Sequence, residues 1–170
     1  MTNQQVFVLQ MALTILVYAL IARWYLAPAM SRFSFHQKVG YLMLPHALRH
    51  IGLTAIVQVV VDPKVPKEWS QPVGYGDLIT AGLAIVTLLA LRGRWPIAIG
   101  LVWLTNIVGF ADFANAGIQA TRYEAFNYQL GGFWFLPTFF VPSLVVTHVW
   151  MFAILIRGGA ASGKTAGAAA

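Results

Sequence analysis

The residues best suited to chemistry in this chain are two histidines and an arginine in the stretch YLMLPHALRH, residues 41–50. His46, Arg49 and His50 stand at i, i+3 and i+4, so on an α-helix their side chains share one face. An imidazole exchanges protons near neutral pH or binds metal, whereas a guanidinium stays charged and offers five donors to an anionic or carbonyl group. Asn106 and His148 are the other polar residues that fall inside long apolar runs at a comparable level. Counting from Tyr41 at about 1.5 Å per residue places Arg49 and His50 roughly 12 to 14 Å into their segment. His148, counted back from Arg157, reaches the same level, and Asn106, counted from Trp95, lies at about 16 Å. Arg49, His50, Asn106 and His148 are therefore the expected ligand-binding layer, with Arg49 holding an anionic or carbonyl group and the histidines binding or titrating.

The same arithmetic puts Asp112 about 25 Å up, beyond the reach of Arg49. Asp112 is instead expected in a second polar patch with Gln58 and Asn115, with Asp77 a further candidate member, held by interhelical hydrogen bonds. His46 is expected near the interface, facing headgroups. Equal depth also makes His50 and His148 candidate axial ligands for a single b-type haem, the alternative cofactor. A bare metal at His46 and His50 has suitable spacing, but Arg49 opposes its charge and no carboxylate lies close by. Nucleophilic catalysis finds no support: Ser143 and His148, five apart on one helix, point in different directions.

These residues need a scaffold, and composition says which kind. Apolar residues make up 59% and charged residues only 9% of the 170, far from the balance of a water-soluble domain. About 20 residues of helix cross a bilayer's hydrocarbon core. Five segments qualify, at about residues 6–22, 41–61, 73–91, 95–115 and 132–156. The expected fold is all-α, a single five-helix transmembrane domain over residues 1–157 with a flexible Gly/Ala-rich cytoplasmic tail, residues 158–170. Pro137 and Pro142 each remove a backbone donor, so the last helix should be irregular, with Thr138, Ser143 and Thr147 free to satisfy the released carbonyls.

Arg23, Arg32, Lys38, Arg92, Arg94, Arg157 and Lys164 fall on one side of such a bundle, and only Lys64, Lys67 and Arg122 on the other. That asymmetry predicts an external N-terminus and a cytoplasmic C-terminus. The net charge of +6 is spread over helix ends and does not form the continuous basic surface that nucleic acid requires. Cysteine is absent, which excludes disulfides, thiolate metal sites and iron–sulfur clusters. The first segment lacks the preceding cations of a secretion signal and is read as a retained helix.

Two strings imitate known motifs. GGAASGKT, residues 158–165, matches a phosphate-binding loop, but that chemistry needs a strand before the loop and a helix after it. VGYGD, residues 73–77, matches a potassium-channel filter, yet Pro72 replaces the filter threonine and Pro63 and Pro66 interrupt the place of a pore helix. Asp77 is expected there as the N-cap of the third helix.

The stretches LPHALRH (residues 44–50), YGDL (75–78) and PSLVVTH (142–148) resemble those of small bacterial polytopic membrane proteins without an assigned function. The resemblance covers most of residues 32–157. It implies a bacterial cytoplasmic membrane and supplies no activity or ligand. The partners expected are the lipid bilayer, a small ligand or protons, and a membrane protein or a second copy of the chain.

Overall fold

The computed structural model describes residues 1–167, with side chains described as far as Gly158. Every regular element among the described residues is a helix. Helix α1 (Asn3–Ile21) passes through a π turn (Ala22–Leu26) into the short α2 (Ala27–Met30). Thr2 starts α1 with a capping box to Gln5, and Ser34 starts α3 (Phe35–Ala47) in the same way with Gln37. A 3₁₀ stretch (Leu48–Ile56) continues α3; α4 (Lys67–Arg92) and α5 (Ala98–Arg122) follow. Short 3₁₀ turns and a second π turn (Leu136–Phe140) then lead into α6 (Val141–Gly167).

Four of these helical stretches are long and apolar enough to cross a membrane: Asn3–Met30, Lys67–Arg92, Ala98–Arg122 and Gly131–Gly158. The expected second span differs in kind. It is α-helical for only 13 residues and then 3₁₀ for nine. Pro45 lies inside its last α turn and has no N–H to continue the α ladder. Nine residues is a long run for a 3₁₀ helix, and close packing on α4 supports it. A Cβ at Gly74 would touch the Gly52 carbonyl oxygen at 3.6 Å, so small residues let the two backbones meet.

Helix α4 begins at Lys67, ten residues before Asp77, with Pro66 at its N-cap and Pro72 inside it. The expected N-cap role of Asp77 is thereby corrected: the helix starts a full ten residues earlier and runs on through Pro72, its sixth residue, at the loss of one backbone hydrogen bond. The filter-like string lies within α4 as regular helix. The phosphate-loop-like string follows directly on the body of α6, which is helical through Gly167. Of the expected tail, residues 168–170 lie outside the described residues. The expected irregularity near Pro137 and Pro142 is the π turn, where the hydroxyls of Thr138 and Ser143 donate to the Trp134 and Phe140 carbonyls.

Two apolar clusters fill the interior. One joins Met30, Val39, Met43, Ala90, Val102 and Met151 at the end where α3 starts. The other joins Phe7, Trp69, Val73, Phe126 and Phe133 at the opposite end. Helix α1 is apolar on every side and fully buries only Phe7. It rests on α6 and the π turn before it, pinned by a hydrogen bond of 2.8 Å from Trp134 Nε1 to Gln10 Oε1.

Candidate functional site

Between the two apolar clusters lies a polar layer centred on Arg49, whose side chain is 0% exposed. Its position follows from the 3₁₀ geometry. With three residues per turn, Arg49, Gly52 and Ala55 stack on one face, and these are the buried residues of the stretch. The same winding turns His50 outward, where it is exposed and its Nδ1 meets only the Ala47 carbonyl at 3.1 Å. The straight α-helix assumed from the sequence would have kept His50 beside Arg49.

Arg49 is answered by two carboxylates and a carbonyl. Its Nε donates to Asp77 Oδ1 at 2.6 Å and its Nη2 to Asp112 Oδ2 at 2.6 Å. Nη1 donates to the Gly109 carbonyl at 3.0 Å, and Cζ sits 3.7 Å over the centre of the Phe113 ring. The expectation that Asp112 is out of reach is overturned. The helices start elsewhere than assumed, α3 at Phe35 and α5 at Ala98. Measured from those starts, with about 2.0 Å for the 3₁₀ step, Arg49 and Asp112 both lie roughly 21 Å along. Asp77, counted back from the end of α4, lies at about 22 Å. The expected second patch is not assembled: Gln58 and Asn115 are exposed, and Asp112 belongs to Arg49.

Glycine makes room for this group. A Cβ at Gly52 would collide with Asp77 Oδ2, and one at Gly76 with Asp112 Oδ1. A Cβ at Gly109 would come within 2.8 Å of Arg49 Nη1 and 2.9 Å of His148 Cε1.

One layer nearer the start of α3, His46 and His148 are both fully buried, with ring centres 4.1 Å apart. His46, expected at the interface, is drawn inward because α3 begins six residues earlier than the sequence reading placed it. Asn106 clamps His148 at two points: Oδ1 lies 2.6 Å from the ring Nδ1, and Nδ2 donates to the His148 carbonyl at 3.2 Å. An amide oxygen only accepts, so the hydrogen of His148 is on Nδ1 and its Nε2 carries a lone pair. His46 Nε2 lies 2.9 Å from Thr147 Oγ1, whose own hydrogen goes to the backbone carbonyl of Leu144 or Ser143. Thr147 therefore accepts from His46, leaving a lone pair on His46 Nδ1. His46 Nδ1 and His148 Nε2 have no hydrogen-bond partner among the described residues. Of the expected set, Arg49, Asn106 and His148 come together and His50 does not. The His50 and His148 pair needed for an axially ligated haem is not a facing pair. Asp77, Asp112 and His46 are the members that the sequence reading misplaced.

An apolar cavity of about 200 Å³ opens on the Arg49 group, lined by α1, α4, α5, α6 and the turns before α6. Asp77 and Asp112 contribute to its lining, and their side chains keep 14% and 15% exposure. Leu136, Pro137, Phe140 and Val141, at the π turn, form part of its wall.

No curated protein and no solved structure matches this chain. Residues 6–156, which hold both layers and the cavity, match the domain of unknown function DUF8737; the chain belongs to that family.

Proposed function

We propose that this is a multi-pass membrane protein that binds a small ligand, or protons, at the Asp77–Arg49–Asp112 group, as a transporter or an accessory subunit of one. The observation that carries this reading is the placement of two carboxylates and a guanidinium in the wall of a mainly apolar cavity. Charged groups are costly at membrane depth, so where they line a cavity they point to a pathway or a binding site. Residues 35–56 complete a fifth crossing in this reading: 13 α and nine 3₁₀ residues rise about 37 Å, enough for the hydrocarbon core. The cation asymmetry supports an external N-terminus and a cytoplasmic C-terminus, and a bacterial inner membrane is the setting of this reading.

One observation favours a second reading, a structural or assembly subunit. Each nitrogen of Arg49 already has a partner within the chain, as a buried network with no ligand would require. Ligand-dependent thermal stabilisation of the purified protein separates the two. The binding reading expects compounds that stabilise the wild type but not Ala116→Phe, which fills the cavity from α5. Identical responses from both proteins, or a folded Arg49→Leu protein that keeps every ligand response, would remove it.

A further inference from the structure

We infer that the cavity takes a small lipophilic amine or other organic cation, an assignment that rests on the ligand-binding reading above and names its substrate class. The first argument is charge. One guanidinium faces two carboxylates, so the group carries a formal excess of one negative charge when both are ionised. The arrangement also decides which sign the cavity presents. All three residues line the cavity, but the Arg49 side chain has no exposure and its three nitrogens are engaged, whereas the Asp77 and Asp112 side chains keep 14% and 15% exposure.

Only one oxygen of each carboxylate is used by Arg49, Asp77 Oδ1 and Asp112 Oδ2. The other oxygens, Asp77 Oδ2 and Asp112 Oδ1, accept no hydrogen bond from the described residues. They lie against the bare faces of Gly52 and Gly76, where any side chain would displace them. A carboxylate accepts at both oxygens and donates at neither, so the two remaining oxygens call for a donor. An ammonium group brings up to three donors and the missing positive charge. An alcohol brings one donor and no charge, and a carboxylate ligand would add repulsion.

The walls supply the second argument. Phe7, Trp69, Phe113, Phe126, Phe133 and Phe140 surround the space, and aromatic faces attract a cation as well as an apolar body. Phe113 already serves one cation, Arg49, at 3.7 Å. Size sets the upper limit. Apolar cavities of about 150 Å³ hold a benzene-sized molecule, so about 200 Å³ suits one aromatic ring, or a short alkyl chain, with its head group.

The test is a near-isosteric series titrated into the full chain in lipid nanodiscs at neutral pH: benzylamine, benzyl alcohol and benzoate, read by calorimetry and by thermal stabilisation. Benzylamine is expected to bind at least tenfold tighter than benzyl alcohol, with benzoate weaker still. Asp112→Asn should remove most of the preference for benzylamine over benzyl alcohol. Benzyl alcohol or benzoate binding as tightly as benzylamine, with Ala116→Phe abolishing it, would overturn the cation assignment and leave the cavity as a ligand site. No saturable binding by any of the three would overturn both. The wild-type series decides the question even where Asp112→Asn does not fold.

Discussion

Replacing Arg49 with methionine removes one cation and three donated hydrogen bonds from a fully buried position but keeps most of the side-chain volume. Asp77 and Asp112, each 2.6 Å from the guanidinium, are then left as two carboxylates with no cation between them. Removing one partner of a buried ion pair costs about 3–5 kcal/mol, and two stranded carboxylates place Arg49→Met at the upper end. Asp112→Asn should cost less, on the order of 1.5–3 kcal/mol, because a neutral one-to-one pair of Arg49 with Asp77 survives. The triple variant Arg49→Met, Asp77→Leu, Asp112→Leu removes every charge and should recover most of the loss, as apolar replacement of buried ion groups often does. Reversible unfolding in mixed micelles, followed by the fluorescence of the six tryptophans, measures all three. An Arg49→Met protein within about 1 kcal/mol of wild type, or a triple variant less stable than the single one, would refute the ion group.

Other outcomes follow from the same geometry. Gly109→Ala should destabilise by about 1–3 kcal/mol, because its Cβ meets Arg49 Nη1, Thr80 Cγ2 and His148 Cε1 within 2.9 Å. Gly82→Ala, with open space around the new methyl, should be neutral or up to about 1 kcal/mol stabilising; the same unfolding assay reads both. Nitrogen-15 spectra should find neutral His46 protonated on Nε2 and His148 on Nδ1, and Thr147→Val should cost about 1–3 kcal/mol by stranding the buried His46 donor. His50→Ala should change stability by no more than about 0.5 kcal/mol, since the side chain is exposed; a loss above about 2 kcal/mol would mean that His50 is part of the buried layer.

The helical class and the general place of the polar layer were legible because composition and the length of apolar runs are local properties. Arg49, Asn106 and His148 could be singled out for the same reason: a polar residue inside a long apolar run is conspicuous. What could not be read was winding. The 3₁₀ stretch turns His50 out and keeps Arg49 in, and a window of apolar residues does not distinguish three residues per turn from 3.6. The partners of Arg49 were misassigned because depth was counted from Tyr41 and Trp95, whereas α3 and α5 begin at Phe35 and Ala98. Six residues at one end amount to about 9 Å, the difference between reach and no reach for an arginine. Asp77 was concealed by Pro72 and two glycines, which resemble a helix start but lie within α4. One signal was available. Gly52 stands three residues from Arg49, Gly109 three from Asp112, and Gly76 directly precedes Asp77, and small residues so close to buried polar ones often mark close approach.

The most direct test of the account compares two cysteines introduced into a chain that has none. Ala116→Cys lines the cavity, whereas Ile118→Cys, 67% exposed in the wild type, lies on the outer face of the same helix. Each is alkylated with a benzyl-sized maleimide and assayed for benzylamine binding in nanodiscs. The account predicts that modification at position 116 abolishes binding and that benzylamine slows the modification, with position 118 unaffected on both counts. Equal behaviour of the two positions would contradict a ligand site above the Asp77–Arg49–Asp112 group.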